Sequence, residues 1–344
     1  MKALVKTHPG IGHVELIDMP EPTIGEGQVI IEVKAAGICG TDLHIYNDEY
    51  GNDPPVILGH EISGEVVEVD ATVTRFKAGD RVTINPTPGI LCGRCRYCET
   101  GAYFFCENRT GHGTRIDGGF TRYCCAREEV VYRLPEHFDY DAGALCEPLA
   151  CAYQAVVELT NIVPGDVVVV SGPGPMGLLC MMLAKTRGAT VVMLGTTVDE
   201  KRIELARQLG ADAALNIDRT APGEVITDLT AGEGADVVVE CAGVAASVNQ
   251  CLELVKKMGR YTQVALFEER VAVDFQKVVI KQLQIQGSIC HSWQTWRQLM
   301  DFLEKGRIDF RPLISSKLPL DRWEDGFASV RNKQAIKVLL YPEA

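Results

Sequence analysis

The chain has 344 residues, enough for about two domains at the ~150 residues that one domain usually takes. Lys and Arg number 34 and Asp and Glu 46, and the resulting charge of −12 argues against nucleic acid or an anionic membrane surface as a partner. No apolar run reaches the ~20 residues that span a bilayer, and residues 1–10 lack the apolar stretch of a secretory signal. We therefore expect a cytoplasmic protein.

The first 150 residues predict a β-rich structure with many turns. Val29–Ala35 alternates apolar and polar side chains as a half-buried strand does, and short strands are also predicted at Ile62–Val69 and Arg81–Ile84. No helical period of useful length occurs before about Asp141.

Strands then alternate with helical segments. Asp166–Ser171 is a continuous apolar strand, and a helix is predicted over Met176–Arg187. Further strands are predicted at Val191–Leu194, Ala213–Leu215, Asp236–Glu240, Arg260–Ala265 and Leu283–Gln286, with helices at Glu200–Leu209 and Ser247–Lys257. This alternation implies right-handed βαβ units and an α/β fold with a doubly wound parallel sheet.

The end of the chain predicts a helix at Trp293–Gly306 and an isolated strand at Ile336–Leu340. A single strand cannot form a third domain, so we expect it to pack on the N-terminal part. The predicted domains are 1–151 with 288–344, and 152–287.

Thirteen cysteines without a secretory signal indicate metal ligands and buried thiols rather than disulfides. Cys92, Cys95, Cys98 and Cys106 follow the pattern C-x2-C-x2-C-x7-C. Four thiolates from one short loop suit a closed tetrahedral zinc site. An iron–sulfur cluster also takes four thiolates, but the seven-residue gap is not one of its usual spacings.

A second candidate metal site combines Cys39, His60 and Glu147. Each has an ordinary alternative: a buried thiol, a loop histidine and a helix start ahead of Pro148. One thiolate, one imidazole and one carboxylate would leave the fourth zinc position open, as catalytic zinc sites do.

A glycine-rich loop follows the apolar strand and opens the next helix. Its sequence is G-x-G-x-x-G, formed by Gly172, Gly174, Pro175, Met176 and Gly177. In this context the glycines allow a tight turn, close approach of the backbone to a pyrophosphate, and contact between helix and strand.

Together these segments resemble the zinc-dependent medium-chain dehydrogenases, in the branch of polyol (sorbitol-type) and threonine dehydrogenases. The resemblance covers nearly the whole chain: GICGTDLH, GHE, the four-cysteine loop, Asp117-Gly118-Gly119-Phe120, EPLA, GPGPMG and Lys337-Val338. It implies a GroES-like catalytic domain with two zinc ions, a Rossmann domain, an active site between them, and a homo-oligomer, either dimer or tetramer.

The resemblance also implies the roles of single residues at the catalytic zinc. Cys39 and His60 correspond to ligands, Glu147 to a contact made directly or through water, and Glu61 to a carboxylate that exchanges with water or substrate.

Thr41 and His44 correspond to the proton relay of the family. A hydroxyl and an imidazole can together pass a proton to solvent while a hydride moves to the nicotinamide.

The expected substrate is a small molecule with a secondary alcohol, either a polyol or a small diol. The Arg-Tyr pair of sorbitol-type enzymes is missing from residues 287–293, whereas EPLA is absent from threonine dehydrogenases. His44-Ile45-Tyr46 resembles the threonine enzymes, and L-threonine 3-dehydrogenase is the alternative. The presence of Cys39 and His60 argues against the zinc-free quinone reductases. The net charge of −12 and the glycine-rich loop argue against a zinc ribbon that binds nucleic acid.

The coenzyme preference is predicted from the end of the second Rossmann strand. Where NAD-specific enzymes carry Asp or Glu, this chain has Gly195-Thr196-Thr197. Asp199 comes later, where it can cap the next helix, and Lys201 and Arg202 follow with positive charge. The sequence therefore favours NADP over NAD, with Thr196, Thr197 and Lys201 as coenzyme-binding residues.

Overall fold

The computed structural model describes residues 1–267 and 269–342, which form two units. The first contains Met1–Glu147 together with the chain from Ser292 onward, and the second contains Pro148–His291. The limits of the functional domains, 1–151 with 288–344 and 152–287, remain a prediction.

The described residues form β-strands and α-helices throughout both units. The strands are β1 Lys2–Lys6, β2 Val14–Asp18, β3 Gln28–Gly37, β4 Val56–Ile57, β5 Glu61–Val69, β6 Arg81–Ile84, β7 Tyr123–Arg127, β8 Val131–Arg133, β9 Val167–Ser171, β10 Thr190–Gly195, β11 Ala213–Asn216, β12 Ala235–Glu240, β13 Val255–Gln263, β14 Gln284–Gly287, β15 Ile314–Pro319 and β16 Lys337–Tyr341. The α-helices are α1 Gly40–Tyr46, α2 Arg96–Glu99, α3 Tyr140–Ala144, α4 Cys146–Tyr153, α5 Pro175–Thr186, α6 Glu200–Gln208, α7 Pro222–Leu229, α8 Ala245–Leu254, α9 Gln276–Ile280, α10 Trp293–Glu304 and α11 Trp323–Arg331.

The first unit is built on a seven-stranded sheet in the order β15-β16-β3-β5-β6-β8, with β7 also paired to β3. A separate three-stranded sheet has the order β2-β1-β4. Strand β16 runs antiparallel to β3, with Leu340 opposite Ala36. Trp323 and Phe327 of α11 belong to the same hydrophobic core as Ile31 of β3. The last part of the chain therefore completes the sheet that the N-terminal strands begin.

The second unit has a six-stranded parallel sheet in the order β11-β10-β9-β12-β13-β14. Counted along the chain, this is the strand order 3-2-1-4-5-6 of a doubly wound dinucleotide-binding fold. Strand β9 is buried along its whole length, as a central parallel strand covered on both faces requires. The predicted α/β class is confirmed.

Two local predictions were wrong. Helix α1 was not expected, because seven residues are too few to show a helical period. The helix predicted over Ser247–Lys257 ends at Leu254, and Val255 starts β13 directly. Val255 pairs with Ala235 of β12, so sheet pairing overrides the local helical pattern there.

Among the described residues, none of the helices combines the length and the apolar character that a membrane crossing needs.

Candidate active site

The four predicted cysteines of the 92–106 loop converge in the first unit. All four Sγ atoms lie within 4.8 Å of one another, with Cys98 Sγ 3.5 Å from Cys95 and 3.8 Å from Cys92. Zinc–sulfur bonds of about 2.3 Å in a tetrahedron place the sulfurs roughly 3.8 Å apart, so the cluster matches a four-thiolate zinc site. A disulfide would need about 2.05 Å, and all four cysteines are free.

Short local structure brings these thiols together. Gly93 and Gly101 have φ values of +69° and +78°, which reverse the chain on either side of α2, and a 3-10 turn over Tyr103–Phe105 leads to Cys106. A hydrogen bond from the backbone amide of Arg94 lowers the pKa of Cys92 to about 6. The backbone of the loop thus favours the thiolate form of Cys92.

Cys39, His60 and Glu61 form a second cluster, with their ligand atoms within 4.8 Å of one another. They meet because β3 pairs antiparallel with β5, which sets Gly37 opposite Glu61. A Cβ on Gly37 would lie 1.9 Å from Glu61 Oε2, so only glycine fits beside this carboxylate.

Asp42 supports this cluster and was missed by the sequence analysis. Its Oδ2 accepts a 2.8 Å hydrogen bond from the backbone amide of Cys39, and its Oδ1 lies 3.7 Å from Nδ1 of His60. An imidazole whose Nδ1 faces a carboxylate presents its other nitrogen as a metal ligand. The position of Asp42 within GTDLH, three residues after Cys39, was the available signal.

The charges around His60 suit a bound cation. Burial lowers the pKa of His60, but Cys39 and Asp42 outweigh burial and hold that pKa well above its usual value. Neither His60 Nδ1 nor Asp42 Oδ1 has a hydrogen-bond partner within the described part of the chain. Thiol, imidazole and carboxylate are all ligands that zinc accepts, and the donor set fits the metal.

Glu61 has a partner at the other end of the chain. Both carboxylate oxygens accept from Nζ of Lys337, at 2.5 and 2.7 Å, and Lys337 also donates to Ile38 O at 3.1 Å. Glu61 is fully buried, and burial raises the pKa of its carboxyl group. Lys337 lowers this pKa and the nearby Glu147 raises it, and the net result is a pKa above the usual value. Glu61 is therefore a carboxylate shared between the cluster and a buried ammonium group.

The other predicted residues of this site lie nearby in the first unit. Glu147 is buried in α4 and lies outside the set of ligand atoms within 4.8 Å, although it is near enough to raise the pKa of Glu61. Thr41 Oγ1 lies 3.6 Å from Cys39 Sγ. His44 is on the same helix as Thr41, and its Nδ1 lies 2.8 Å from Glu49 Oε2. The hydrogen bonds found for the described residues do not join Thr41 to His44.

The glycine loop of the second unit has the geometry that its sequence predicts. Gly172 has φ +97°, and a Cβ there would lie 2.7 Å from the amide nitrogen of Ala242. A Cβ on Gly177 would lie 1.9 Å from Gly172 O. Gly174 precedes α5 and faces open space, and Pro175 and Met176 begin the helix. The N-terminus of α5 is thereby accessible to a phosphate group.

Two threonines directly follow β10, and each is hydrogen-bonded to a carboxylate from further along the chain. Thr196 donates to Asp199 Oδ2 from its amide and hydroxyl, and Thr197 donates to Asp218 Oδ2 in the same way. Lys201 lies exposed on α6. The carboxylate of Asp199 closes the turn over Thr197–Asp199 instead of capping α6.

The comparisons with known proteins show the family of this chain. Residues 25–136 match the alcohol dehydrogenase GroES-like domain, and residues 175–305 match the zinc-binding dehydrogenase domain. The chain is 40% identical to sorbitol dehydrogenase of Halalkalibacterium halodurans, over 99% of both chains. It is 37% identical to D-arabitol-phosphate dehydrogenase of Enterococcus avium, over 99% of this chain and 97% of that protein.

A solved structure has the same fold along its whole length. It is a putative zinc-binding dehydrogenase from Sinorhizobium meliloti 1021 bound to NADP, with a TM-score of 0.91, 32% identity and 99% coverage of both chains. The chain belongs to the zinc-binding alcohol dehydrogenase family, in the branch of polyol and threonine dehydrogenases. It is an oxidoreductase that acts on CH–OH groups.

We predict that Lys337→Met lowers the free energy of unfolding by about 3–5 kcal/mol, because it leaves the Glu61 carboxylate buried without its cation. Urea denaturation measures this change. The double variant E61Q/K337M should lose less, since no charge is then stranded. Lys2→Met removes an exposed ion pair with Asp18 and should cost at most about 1 kcal/mol. Equal losses for Lys2→Met and Lys337→Met would contradict the assignment.

Proposed function

We propose that the protein is a zinc-dependent dehydrogenase that transfers a hydride from a secondary alcohol, a polyol or small diol, to NADP. The observation that carries this proposal is the convergence of Cys39, His60 and Glu61 within 4.8 Å in the first unit. The relatives that act on sorbitol and D-arabitol phosphate support the substrate class. A cytoplasmic homo-oligomer of two or four copies remains a prediction from the sequence.

Two zinc ions are proposed for each chain. The catalytic ion would be held by Cys39, His60 and the carboxylates of Glu61 and Glu147. The structural ion would be held by the four cysteines of the 92–106 loop. When bound, the catalytic ion supplies a Lewis acid that polarises the alcohol oxygen and eases loss of its proton. Asp42 and Lys337 keep the imidazole and Glu61 in place, so that the ligands do not have to reorganise.

Thr41 and His44 are proposed to carry the alcohol proton away. Thr41 lies next to the Cys39 sulfur, where its hydroxyl can accept a proton from the substrate. The side chain of His44 is 43% exposed, so its imidazole can release a proton to solvent. Because the two residues are not directly bonded, the transfer between them requires a bridging group such as one water.

The coenzyme proposal depends on the space beyond β10. A Cβ on Gly195 would lie 2.8 Å from Cγ of Pro173, so an acidic side chain at this strand end would clash. The carboxylate of Asp199 is engaged by Thr196. The hydroxyls of Thr196 and Thr197 and the charge of Lys201 favour a 2′-phosphate, in agreement with the NADP-bound neighbour.

We predict that the two metal sites can be separated by mutation. Cys95→Ser should lower the midpoint of thermal unfolding and remove one zinc, because binding at a structural site contributes to folding. Cys39→Ser should remove the other zinc and abolish turnover with little change in the midpoint. Cys125→Ser, a half-buried thiol outside both clusters, is the control. Metal analysis that gives one zinc per chain in fully active protein would refute two sites.

Replacement of the relay residues should slow alcohol oxidation and leave the zinc content unchanged. Thr41→Val and His44→Ala should each reduce kcat by ~10² to 10⁴-fold, the range typical of general acid–base groups. The exposed His8 offers a control, since His8→Ala removes an imidazole away from the site. Wild-type rates for both relay variants across neutral pH would exclude this route.

A coenzyme-reduction screen tests the substrate and the coenzyme together. Polyols, diols, sugar acids and L-threonine are offered with NAD⁺ and NADP⁺, and the highest kcat/KM is expected for NADP⁺ with a polyol or diol. Thr196→Asp should shift the coenzyme ratio towards NAD⁺ by repelling the 2′-phosphate, whereas Thr220→Asp, at an exposed position, should not. A preference for NAD⁺ would contradict the coenzyme proposal. Activity with L-threonine and with none of the polyols or diols would contradict the proposed substrate class.

A further inference from the structure

A fully buried carboxylate lies at one edge of the parallel sheet in the second unit, beside the glycine loop. Glu240 is the last residue of β12, and none of its surface is exposed to solvent. It pairs in register with Ser171, the last residue of β9, and Gly172 follows directly. In a doubly wound sheet the dinucleotide lies outside the carboxyl ends of the strands, where the strand order reverses. In this sheet the reversal falls between β9 and β12.

Four hydrogen-bond donors converge on this carboxylate. Oε1 of Glu240 accepts from the backbone amides of Ala242 at 2.9 Å and Gly243 at 3.0 Å. It also accepts from the Ser247 hydroxyl at 2.7 Å, and Oε2 accepts from Nε2 of Gln263 at 2.6 Å. No lysine, arginine or histidine of the described residues forms an ion pair with Glu240. A buried carboxylate is costly unless it is paired or hydrogen-bonded, and here neutral donors take the place of a cation.

The hydroxyl of Ser171 extends this set of hydrogen bonds to the end of β9. Its Oγ lies 2.7 Å from Oγ of Ser247. A serine hydroxyl has one proton, and Ser247 donates its proton to Glu240, so Ser171 must donate to Ser247. Ser171 immediately precedes Gly172, and a Cβ on Gly172 would lie 2.7 Å from the amide nitrogen of Ala242. Glu240 therefore holds both sides of the narrow gap between the glycine loop and the 241–243 segment, which consists of the three residues after β12.

The same carboxylate is also bonded to the end of β13. Gln263, the last residue of β13, donates to Glu240, and Tyr261 Oη donates to Gln263 Oε1 at 2.6 Å. The tyrosine thereby keeps the amide nitrogen of Gln263 turned towards the carboxylate. A Cβ on Gly243 would lie 2.5 Å from Leu266 O, so the chain after β13 packs closely against the 241–243 segment. One side chain thus joins the ends of three neighbouring strands.

The 241–243 segment directs its carbonyl groups away from this carboxylate. The amides of Ala242 and Gly243 point at Glu240, and in a trans peptide the carbonyl points opposite to the N–H. The carbonyl oxygens of Cys241 and Ala242 therefore face away from the buried side chain. These acceptors suit the hydroxyl and amide donors that a nicotinamide riboside carries.

We propose that Glu240 is a positioning residue for the coenzyme and fixes the 241–243 segment as the surface that receives its nicotinamide half. The adenosine half is assigned to the threonines beyond β10, so the other half belongs on the β12 side of the glycine loop. A segment already held in its bound conformation loses little freedom on binding, which raises affinity. Glu240 acts through this segment and does not itself contact the coenzyme. This inference rests on the proposed function and adds a residue to its coenzyme site.

The first test measures coenzyme affinity without turnover. NADPH and NADH are each titrated into the enzyme, and their fluorescence gives Kd. Glu240→Leu leaves four donors without an acceptor and should raise Kd for the tighter coenzyme roughly 10- to 100-fold. Glu240→Gln keeps one acceptor oxygen, is the milder change for the fold, and should raise this Kd at least about threefold. An unchanged Kd for Glu240→Gln would overturn the proposal. Wild type that binds neither coenzyme would contradict the proposed function itself, and this inference with it.

Asp166→Asn is the control that separates positioning from a loss of stability. Asp166 is also buried in the second unit, but it precedes β9 at the opposite edge of the sheet, where Arg260 Nη2 donates to it at 2.7 Å. In urea denaturation this variant should lose at least as much stability as Glu240→Gln, because it breaks a buried ion pair. Its Kd for the coenzyme should stay within about twofold of wild type. A rise in Kd that follows the loss of stability in both variants would refute a positioning role.

The second test needs no coenzyme, so its result does not depend on the proposed function. Hydrogen–deuterium exchange is measured by mass spectrometry on the free enzyme, in a peptide that covers residues 240–247. Glu240→Gln should speed exchange at Ala242 and Gly243, because their amides lose a charged acceptor. Asp166→Asn should leave exchange in this peptide at the wild-type rate. Equal exchange in wild type and Glu240→Gln would show that other contacts hold the segment, and the proposal would fail.

Discussion

A buried ion pair between Glu61 and Lys337 joins an N-terminal strand of the first unit to its last strand. Glu61 begins β5 and Lys337 begins β16, and neither side chain is appreciably exposed to solvent. A carboxylate in that position without a cation would cost several kcal/mol. The pairing of β16 with β3 therefore stabilises the candidate metal cluster, because β16 carries the cation that accompanies Glu61.

Stability alone does not account for this pair. Apolar side chains of similar volume would stabilise the fold at least as well as a buried ion pair, because charges lose their hydration on burial. The pair instead lies where Cys39 and His60 converge, and Asp42 adds a second fixed carboxylate facing the imidazole. These buried charges hold the thiol, imidazole and carboxylate ligands in fixed positions around the space where a cation would bind. This arrangement supports the proposed catalytic role.

The glycine loop of the candidate dinucleotide site is shaped by close backbone packing instead of by charge. Gly172 and Gly177 each occupy positions where a single added carbon would collide with neighbouring backbone. Gly195 is confined in the same way by Pro173, so the strand end that would carry an acid in an NAD-specific enzyme has no space for one. The proposed preference for NADP thus follows from packing around the loop as much as from the hydroxyls beyond it.

The sequence alone determined the fold class, the family and the residues of both cysteine-containing clusters. These signals are local: strand-length apolar runs, a glycine loop between strand and helix, and ligands at short fixed spacings. Only the tertiary structure revealed Lys337 as the partner of Glu61, because two residues 276 positions apart leave no periodic trace in a sequence. It also revealed that Asp42 faces His60, although the position of Asp42 three residues after Cys39 was visible in the sequence. It also decided where α8 ends and β13 begins. Those outcomes depend on sheet pairing and packing, which no local pattern encodes.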